Sequence, residues 1–395
     1  MLGGLADLVH PLSAETFLSD VYGKEYGFFA GRAGRFEHLL SWPELNEMVA
    51  TRWSDTDTLR LASKNRRVDR SEYVTGGDGD DRLDVAAFAD LIRTGASLVL
   101  EDIASFHAPI SRHVLRLEDD LHERLGTQLF VSGRSTSGFG VHWDPYDVFA
   151  LQIRGERTWQ IYRPTRPFPL LVDKEAPRSD GLVRAGEVVL TEGDVLYLPR
   201  GWWHDVLPGD RASMHLTVAV AKRTGVDYLA WLGADLRGHE LLRRDVPRFG
   251  TAEELHEYVS RVRDVLAAEV GVDSVHRYLR QRDGHAVPVA KIDLPRVLDG
   301  SVHPSDDTTV MRLVPRVRVE AGESADEVVF VALGEVLHFD AVAEKLLVMI
   351  ASGFEFRTAD LIGASGLARP DVIAVLMELE SRGVLAFSDD RKARV

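Results

Sequence analysis

The chain has 395 residues, 45% hydrophobic and 28% charged, a balance that suits two or three packed domains and excludes a fibrous or disordered chain. It carries 47 basic against 62 acidic side chains, a formal charge of −15, which argues against a wide phosphate-binding surface and leaves a basic partner or simple solubility as readings. The absence of cysteine excludes disulfides, zinc–thiolate sites and cysteine nucleophiles.

In chain order, Met1–Leu12 lacks the basic start and apolar core of a signal peptide. No apolar run reaches the roughly eighteen residues a membrane span needs. A cytoplasmic protein without membrane association is the expectation. Residues 1–60 mix short helical patterns with an aromatic stretch, Tyr22 to Phe36, and Ser41 with Glu44 and Pro43 predicts a capped helix start. From about Leu129 to Val220, short runs of Val, Leu, Ile, Tyr and Trp separated by Gly, Pro and Asp predict a β domain. From about Asp227 the pattern is helical, and Thr251 with Glu254 predicts a capping box before a helix running toward Glu269. Pro288 to Pro304 reads as a linker. Two strand-like runs come next, Val310–Val319 and Val328–Val331, then helical patterns at Ala341–Ile350, Thr358–Ile362 and Pro370–Arg382. Gly353 and Gly383 stand where helix C-termini favour glycine. That order of elements predicts a winged helix. The expected domains are 1–225, 226–290 and 291–395.

The chemistry concentrates in two segments. In Gly140-Val141-His142-Trp143-Asp144, a strand would put His142 and Asp144 on one face, where both reach one ion. A third ligand comes from Glu192-Gly193-Asp194 through Pro199-Arg200-Gly201-Trp202-Trp203-His204, in which a turn feeds a strand, a second turn bends the chain, and His204 comes after it. Two imidazoles and one carboxylate occupy one face of an octahedron and leave three positions open, the pattern of non-haem iron(II) oxygenases. Zinc hydrolysis on the same ligands is the rival chemistry.

These residues resemble the JmjC-type oxygenases of the ribosomal oxygenase group, within the cupin superfamily. The resemblance is carried by His142-Trp143-Asp144-Pro145-Tyr146-Asp147 through Arg157-Thr158-Trp159, by Gly193 to His204, and by the domain order. It implies an α+β protein: a double-stranded β-helix (cupin/JmjC) domain with an N-terminal helical extension, a helical dimerisation region, and a C-terminal winged-helix domain. It implies Fe(II) held by His142, Asp144 and His204, with 2-oxoglutarate as cosubstrate. Its basic residue for the distal carboxylate falls on Arg157, a role that suits a guanidinium fork. Arg154 is read as a solvated hairpin residue. Where the group often has Asn, Tyr and Thr on the preceding strand, this chain has Gln128, Phe130 and Ser132. Gln128 and Ser132 keep hydrogen-bonding capacity and Phe130 does not, while Thr217 offers a hydroxyl from another strand. The implied activity is hydroxylation of a protein or peptide side chain, with a ribosomal-protein-type substrate favoured, in a homodimer.

Other features read more plainly. Trp202 and Trp203 flank a ligand, with packing expected for at least one of them. His215 is expected to be a hydrogen-bonded core histidine rather than a fourth ligand. The presumed recognition helix carries Asp371, Glu378 and Glu380 against Arg382, which argues against nucleic-acid binding. A peptide natural product or small molecule as substrate, and a non-enzymatic cupin/winged-helix regulator, stay open as alternatives.

Overall fold

The structure is a computed structural model. It describes residues 4–63, 66–77, 80–133, 139–173, 175–176, 180–207, 209, 211–285, 291–298 and 303–389. By contact density the chain divides into two units, residues 1–222 and 223–395. No helix among the described residues is long and apolar enough to cross a membrane.

The first unit is built on strands β1 (Gly27–Phe29), β2 (Leu59–Ser63), β3 (Arg66–Arg67), β4 (Ser97–Glu101), β5 (Leu125–Ser132), β6 (Asp147–Arg154), β7 (Arg157–Tyr162), β8 (Arg184–Leu190), β9 (Val195–Leu198), β10 (Trp203–Leu207) and β11 (Ser213–Val220). Eight of them form one antiparallel sheet in the order β1-β9-β6-β11-β5-β4-β2-β3, and the other three form a second in the order β8-β7-β10. The expected β domain therefore starts far earlier than Leu129. Strands from residues 27, 59 and 97 join its main sheet, although polar and helical segments separate them in the chain. Between the sheets lies an apolar cluster of Val148, Ala150, Trp159, Ile161, Leu190, Leu196, Leu198 and Trp202. The other face of the main sheet is covered by the N-terminal helices, including α1 (Trp42–Arg52) and α2 (Ala108–Leu121). Helix α1 opens on the Ser41/Glu44 capping box.

The second unit starts with helices α3 (Gly225–Asp235), α4 (Ala252–Glu269) and α5 (Val272–Gly284). Thr251 and Glu254 form the expected capping box of α4. The segment read as a linker contains a short helix, Leu294–Leu298, and residues 288–290 and 299–302 of it lie outside the described residues. Next come β12 (Thr308–Arg312), β13 (Arg318–Ala321), β14 (Glu327–Ala332), β15 (Glu335–Asp340), α6 (Glu344–Ser352), β16 (Glu355–Arg357), α7 (Thr358–Ser365), α8 (Arg369–Ser381) and β17 (Leu385–Asp389). They make two three-stranded antiparallel sheets, β16-β12-β17 and β13-β14-β15. The run Val310–Val319 is two strands in different sheets, because Arg316 adopts a positive φ of 59° and turns the chain. Gly383 has a positive φ of 70°, whereas Gly353 has φ −147°, an extended conformation that makes no special demand for glycine.

Candidate metal centre

The segment carrying His142 and Asp144 is not a regular strand, so the expected strand alternation does not operate there. Pro145 has no amide to donate to a ladder, and β6 begins only at Asp147. His142 instead forms an isolated bridge with His204, the His142 amide donating to the His204 carbonyl at 3.0 Å and the His204 amide to the His142 carbonyl at 2.8 Å. Nearby, the Gly201 amide donates to the Asp144 carbonyl at 3.0 Å. The backbone thus pins two distant segments together before any metal is considered.

The imidazoles are oriented for ligation. His142 Nδ1 lies 2.7 Å from the Gly140 carbonyl and His204 Nδ1 3.2 Å from the Trp202 carbonyl. A carbonyl only accepts, so each Nδ1 carries the proton and each Nε2 keeps its lone pair. His204 Nε2 is 3.7 Å from Asp144 Oδ2, and ligand atoms of all three residues lie within 4.8 Å of one another. Burial, with His142 nearby, lowers the His204 pKa to about 4, so its ring is neutral near pH 7. A donor set of two neutral nitrogens and one carboxylate fits a divalent first-row metal.

The lining of the barrel is set by the strand registers. Arg157, Trp159 and Ile161 are buried on the inner face of β7, and Ile161 stands opposite His204. Arg157 is 3% exposed; its guanidinium donates to the Gly133 carbonyl at 3.0 Å and the Glu156 carbonyl at 3.5 Å. Among the described residues no carboxylate pairs with it, and burial lowers its pKa. Arg154 instead meets Glu37 at 3.1 Å and Glu192 at 3.5 Å. Gln128 and Ser132 lie on the inner face of β5 but already have partners: Gln128 donates to Glu101 at 2.6 Å, and Ser132 meets Ser97 at 2.9 Å. Arg60 takes the other oxygen of Glu101 at 2.7 Å. Thr217 is buried opposite Gln128. His215 stacks on Phe130 at 5.0 Å rather than joining the ligand set, and burial pushes its pKa down to about 3.

Two contributors escaped the sequence reading. Trp159 stacks 5.5 Å from His204, and its buried Nε1 has no partner among the described residues. An orphaned indole N–H next to a guanidinium without a counter-ion suits a bound carboxylate-bearing molecule. The inward alternation Arg157-x-Trp159-x-Ile161 was the available signal. Asp147, fully buried, accepts from Tyr197, from the Arg200 amide at 3.1 Å, and from Lys222 at 2.6 Å. It fixes the turn that leads to His204. Trp203, adjacent to that ligand, is fully buried and donates through Nε1 to Thr165 at 3.1 Å; Trp202 is also buried.

The Gly193-Asp194 turn is structural. Gly193 has φ 94°, and a Cβ there would fall 2.1 Å from the Arg32 carbonyl oxygen. Asp194 accepts from the amides of Thr191 and Gly31, each at 2.8 Å.

Comparison with known proteins gives a consistent set. A family described as JmjC domain matches residues 106–228. The chain is 25% identical over 221 residues to the bifunctional lysine-specific demethylase and histidyl-hydroxylase NO66 of Drosophila pseudoobscura pseudoobscura, covering 54% of this chain and 22% of that protein. It is 30% identical over 173 residues to ribosomal oxygenase 1 of Bos taurus, covering 42% and 26%. The chain therefore spans well under half of each relative. Among solved structures, the Escherichia coli ribosomal oxygenase YcfD aligns over 95% of this chain and 98% of its own, with 20% identity and a TM-score of 0.57. A structure of YcfD with cobalt and 2-oxoglutarate aligns with 19% identity, 96% and 99% coverage and a TM-score of 0.58. At this identity the likeness establishes a shared fold.

Proposed function

We propose, starting from a chain that carries a JmjC domain related to that of the ribosomal oxygenases, that this protein is an Fe(II)- and 2-oxoglutarate-dependent hydroxylase of protein or peptide side chains. The observation that carries the reading is the oriented His142, Asp144 and His204 triad, together with a buried Arg157 that lacks a carboxylate partner among the described residues. The relatives' names, histidyl-hydroxylase and ribosomal oxygenase, and the cobalt and 2-oxoglutarate of the YcfD structure support it and favour a ribosomal-protein-type substrate.

His142, Asp144 and His204 would hold the iron, and Arg157 would hold the far carboxylate of 2-oxoglutarate through its guanidinium fork. Iron and 2-oxoglutarate held there would supply the activation of dioxygen, 2-oxoglutarate leaving as succinate and carbon dioxide, with one oxygen atom ending in succinate and the other on a substrate carbon. The chain's own part is placement. The Nδ1 contacts fix the ligand rings, Trp159 offers an N–H inside the barrel, and the apolar walls exclude water. Asp144→Ala should abolish both iron stoichiometry and succinate formation; iron bound at the wild-type level in that variant would end the assignment. Mass spectrometry of ribosomal proteins incubated with the enzyme should show the gain of one oxygen.

The second unit supports an accessory reading. Helix α4 buries none of its residues and exposes Leu255, Val259 and Leu266; α5 exposes Val272, Val275 and Leu279. Such an uncovered apolar stripe suits a homodimer contact, which sedimentation at micromolar concentration tests. Helices α6 to α8 with the β16-β12-β17 sheet read as a winged helix. Its α8 carries Asp371, Glu378 and Glu380, with Arg382 already paired to Glu378, which favours a protein contact over nucleic acid. The regulator alternative loses support for the same reason. A cytoplasmic location fits the reading.

A further inference from the structure

The loop after β7 presents a surface for which the metal centre has no use. Phe168 is 75% exposed, Leu171 59% and Val172 89%. Phe168 holds a left-handed backbone, φ 48°, rare for an aromatic residue and costing about 1–3 kcal/mol where it occurs. The loop is nevertheless braced. Arg166 pairs with Asp173, the Leu170 amide donates to Asp173 at 2.9 Å, and Thr165 donates to Glu175 at 2.9 Å. Three prolines, Pro164, Pro167 and Pro169, restrict its backbone further. These polar side chains bond within the loop, and large apolar ones are left facing water.

Its location is also fixed. Tyr162, the last residue of β7, stands opposite Trp203 in register, so the loop leaves the barrel at the end where His204 enters. Thr165 accepts from the Trp203 indole. A Cβ on Gly201, φ 82°, would fall 2.5 Å from Pro169, so the loop lies against the turn whose Gly201 amide holds Asp144. Exposed apolar side chains thus stand on a braced loop joined directly to the His204 segment and, through Gly201, to Asp144. Tyr146, two residues after Asp144, is also 39% exposed.

We propose that Phe168, Leu171 and Val172 form the docking lip for the substrate polypeptide, accepting an apolar side chain close in sequence to the residue presented to the metal. The occupant is a peptide rather than a small polar molecule, because the lip lies outside the barrel and offers apolar contact area. The chain's −15 charge favours a peptide that is otherwise basic. This inference rests on the protein-hydroxylase reading and adds its sequence preference.

Phe168→Gly tests it without a folding penalty, since glycine adopts a positive φ readily and Tm should hold or rise. The probe is an array of peptides tiling the ribosomal proteins, scored for retention and for oxygen gain by the iron-loaded full chain. The expected result is that retained peptides share an apolar residue near the oxidised one. Phe168→Gly and Leu171→Ser/Val172→Ser should raise their KM by about tenfold to a hundredfold, the loss typical of an apolar anchor. Phe168→Leu should retain most of the affinity. Iron stoichiometry and peptide-free succinate formation should be unchanged in all of them. If wild type and lip variants oxidise the same peptides with the same KM, the inference falls while the hydroxylase reading stands. If wild type forms succinate but retains and oxidises no peptide, the protein-substrate reading falls and takes the lip with it. If the variants instead dissociate a dimer in sedimentation, the lip is a contact between copies and the inference is overturned.

Discussion

The two faces of the main sheet in the first unit are made by the same strands and serve opposite ends. On β11, Met214, Leu216, Val218 and Val220 enter the large apolar cluster beneath the N-terminal helices, while His215 and Thr217 face the barrel. On β5, Leu129 joins that cluster, while Gln128, Phe130 and Ser132 face inward. The outer face selects for volume and apolarity. The space that the sheet's inner face shares with the second sheet tolerates, from β11, β7 and β10 together, a buried arginine, two buried histidines and an unpartnered indole N–H. The difference teaches that in this barrel stability and chemistry are separated by one residue of register, so a one-residue slip would exchange them wholesale.

The sharpest way to break that separation is at Arg157. Arg157→Ala should raise the KM for 2-oxoglutarate by roughly 30-fold to several thousand-fold, the equivalent of about 2–5 kcal/mol for leaving a shielded carboxylate unpaired. Iron stoichiometry should hold. Arg157→Lys should lose less, and Arg154→Ala, whose partners Glu37 and Glu192 lie away from the site, should leave the constant unchanged. A damaging Arg154→Ala with a silent Arg157→Ala would reverse the inner and outer assignment. On the other face, Leu216→Ala should cost about 2–5 kcal/mol in denaturant unfolding, with the affinity of the folded protein for iron preserved. Loss of iron affinity without loss of stability would show that the faces are not separable.

Acid should act on both sides, through His204 and His215 inside and through His113 on the outer side, where the contribution can be isolated. His113, on α2, is buried, neither ring nitrogen has a partner among the described residues, and burial lowers its pKa to about 3. Below the unfolded-state value near 6.5, the unfolded chain binds a proton that the folded chain refuses. Stability should therefore fall as pH drops from about 6.5 toward 3, by up to about 1.4 kcal/mol per pH unit from this group. His113→Leu should flatten that limb of the pH–stability curve, and an unaltered slope would assign it to other groups. The mildest effect is expected at Trp159. Trp159→Phe removes the orphaned N–H, so the ligand-free protein should be no less stable, while 2-oxoglutarate or substrate binding weakens by about tenfold or less, the worth of one neutral hydrogen bond. A stability loss without a binding change would make the indole a packing residue.

The parts of this organisation legible in the sequence were those written locally. Ser41 with Glu44, and Thr251 with Glu254, mark helix starts within four residues, and both capping boxes form. His142, Asp144 and His204 could be picked out because their flanking glycines and prolines are themselves turn signals. The long-range part could not be read. That β1, β2 and β4 join the main sheet depends on pairings across intervening segments that no local period encodes. The choice between Arg154 and Arg157 was a question of strand face, and alternation gave its answer only once β7 had a start. Gln128 and Ser132 keep the expected polarity and face the expected way, yet Glu101 and Ser97 already engage them, and both partners come from β4. The expectation of a strand at His142 failed for a local reason, since Pro145 breaks the ladder and a single bridge does the aligning.

Lys222 closes the first unit, and its Nζ lies 2.6 Å from Asp147, the buried carboxylate that also receives the Arg200 amide beside the His204 turn. The C-terminal margin of the first unit is thus tied by an ammonium to the turn that leads to the candidate metal centre. A protease cut or truncation placed even one residue too early would strand Asp147 without its cation, at a cost of about 3–5 kcal/mol. Any shortening of the chain meant to keep the candidate site intact must therefore retain that lysine, which works as the clasp of the site as much as the end of a strand's tail.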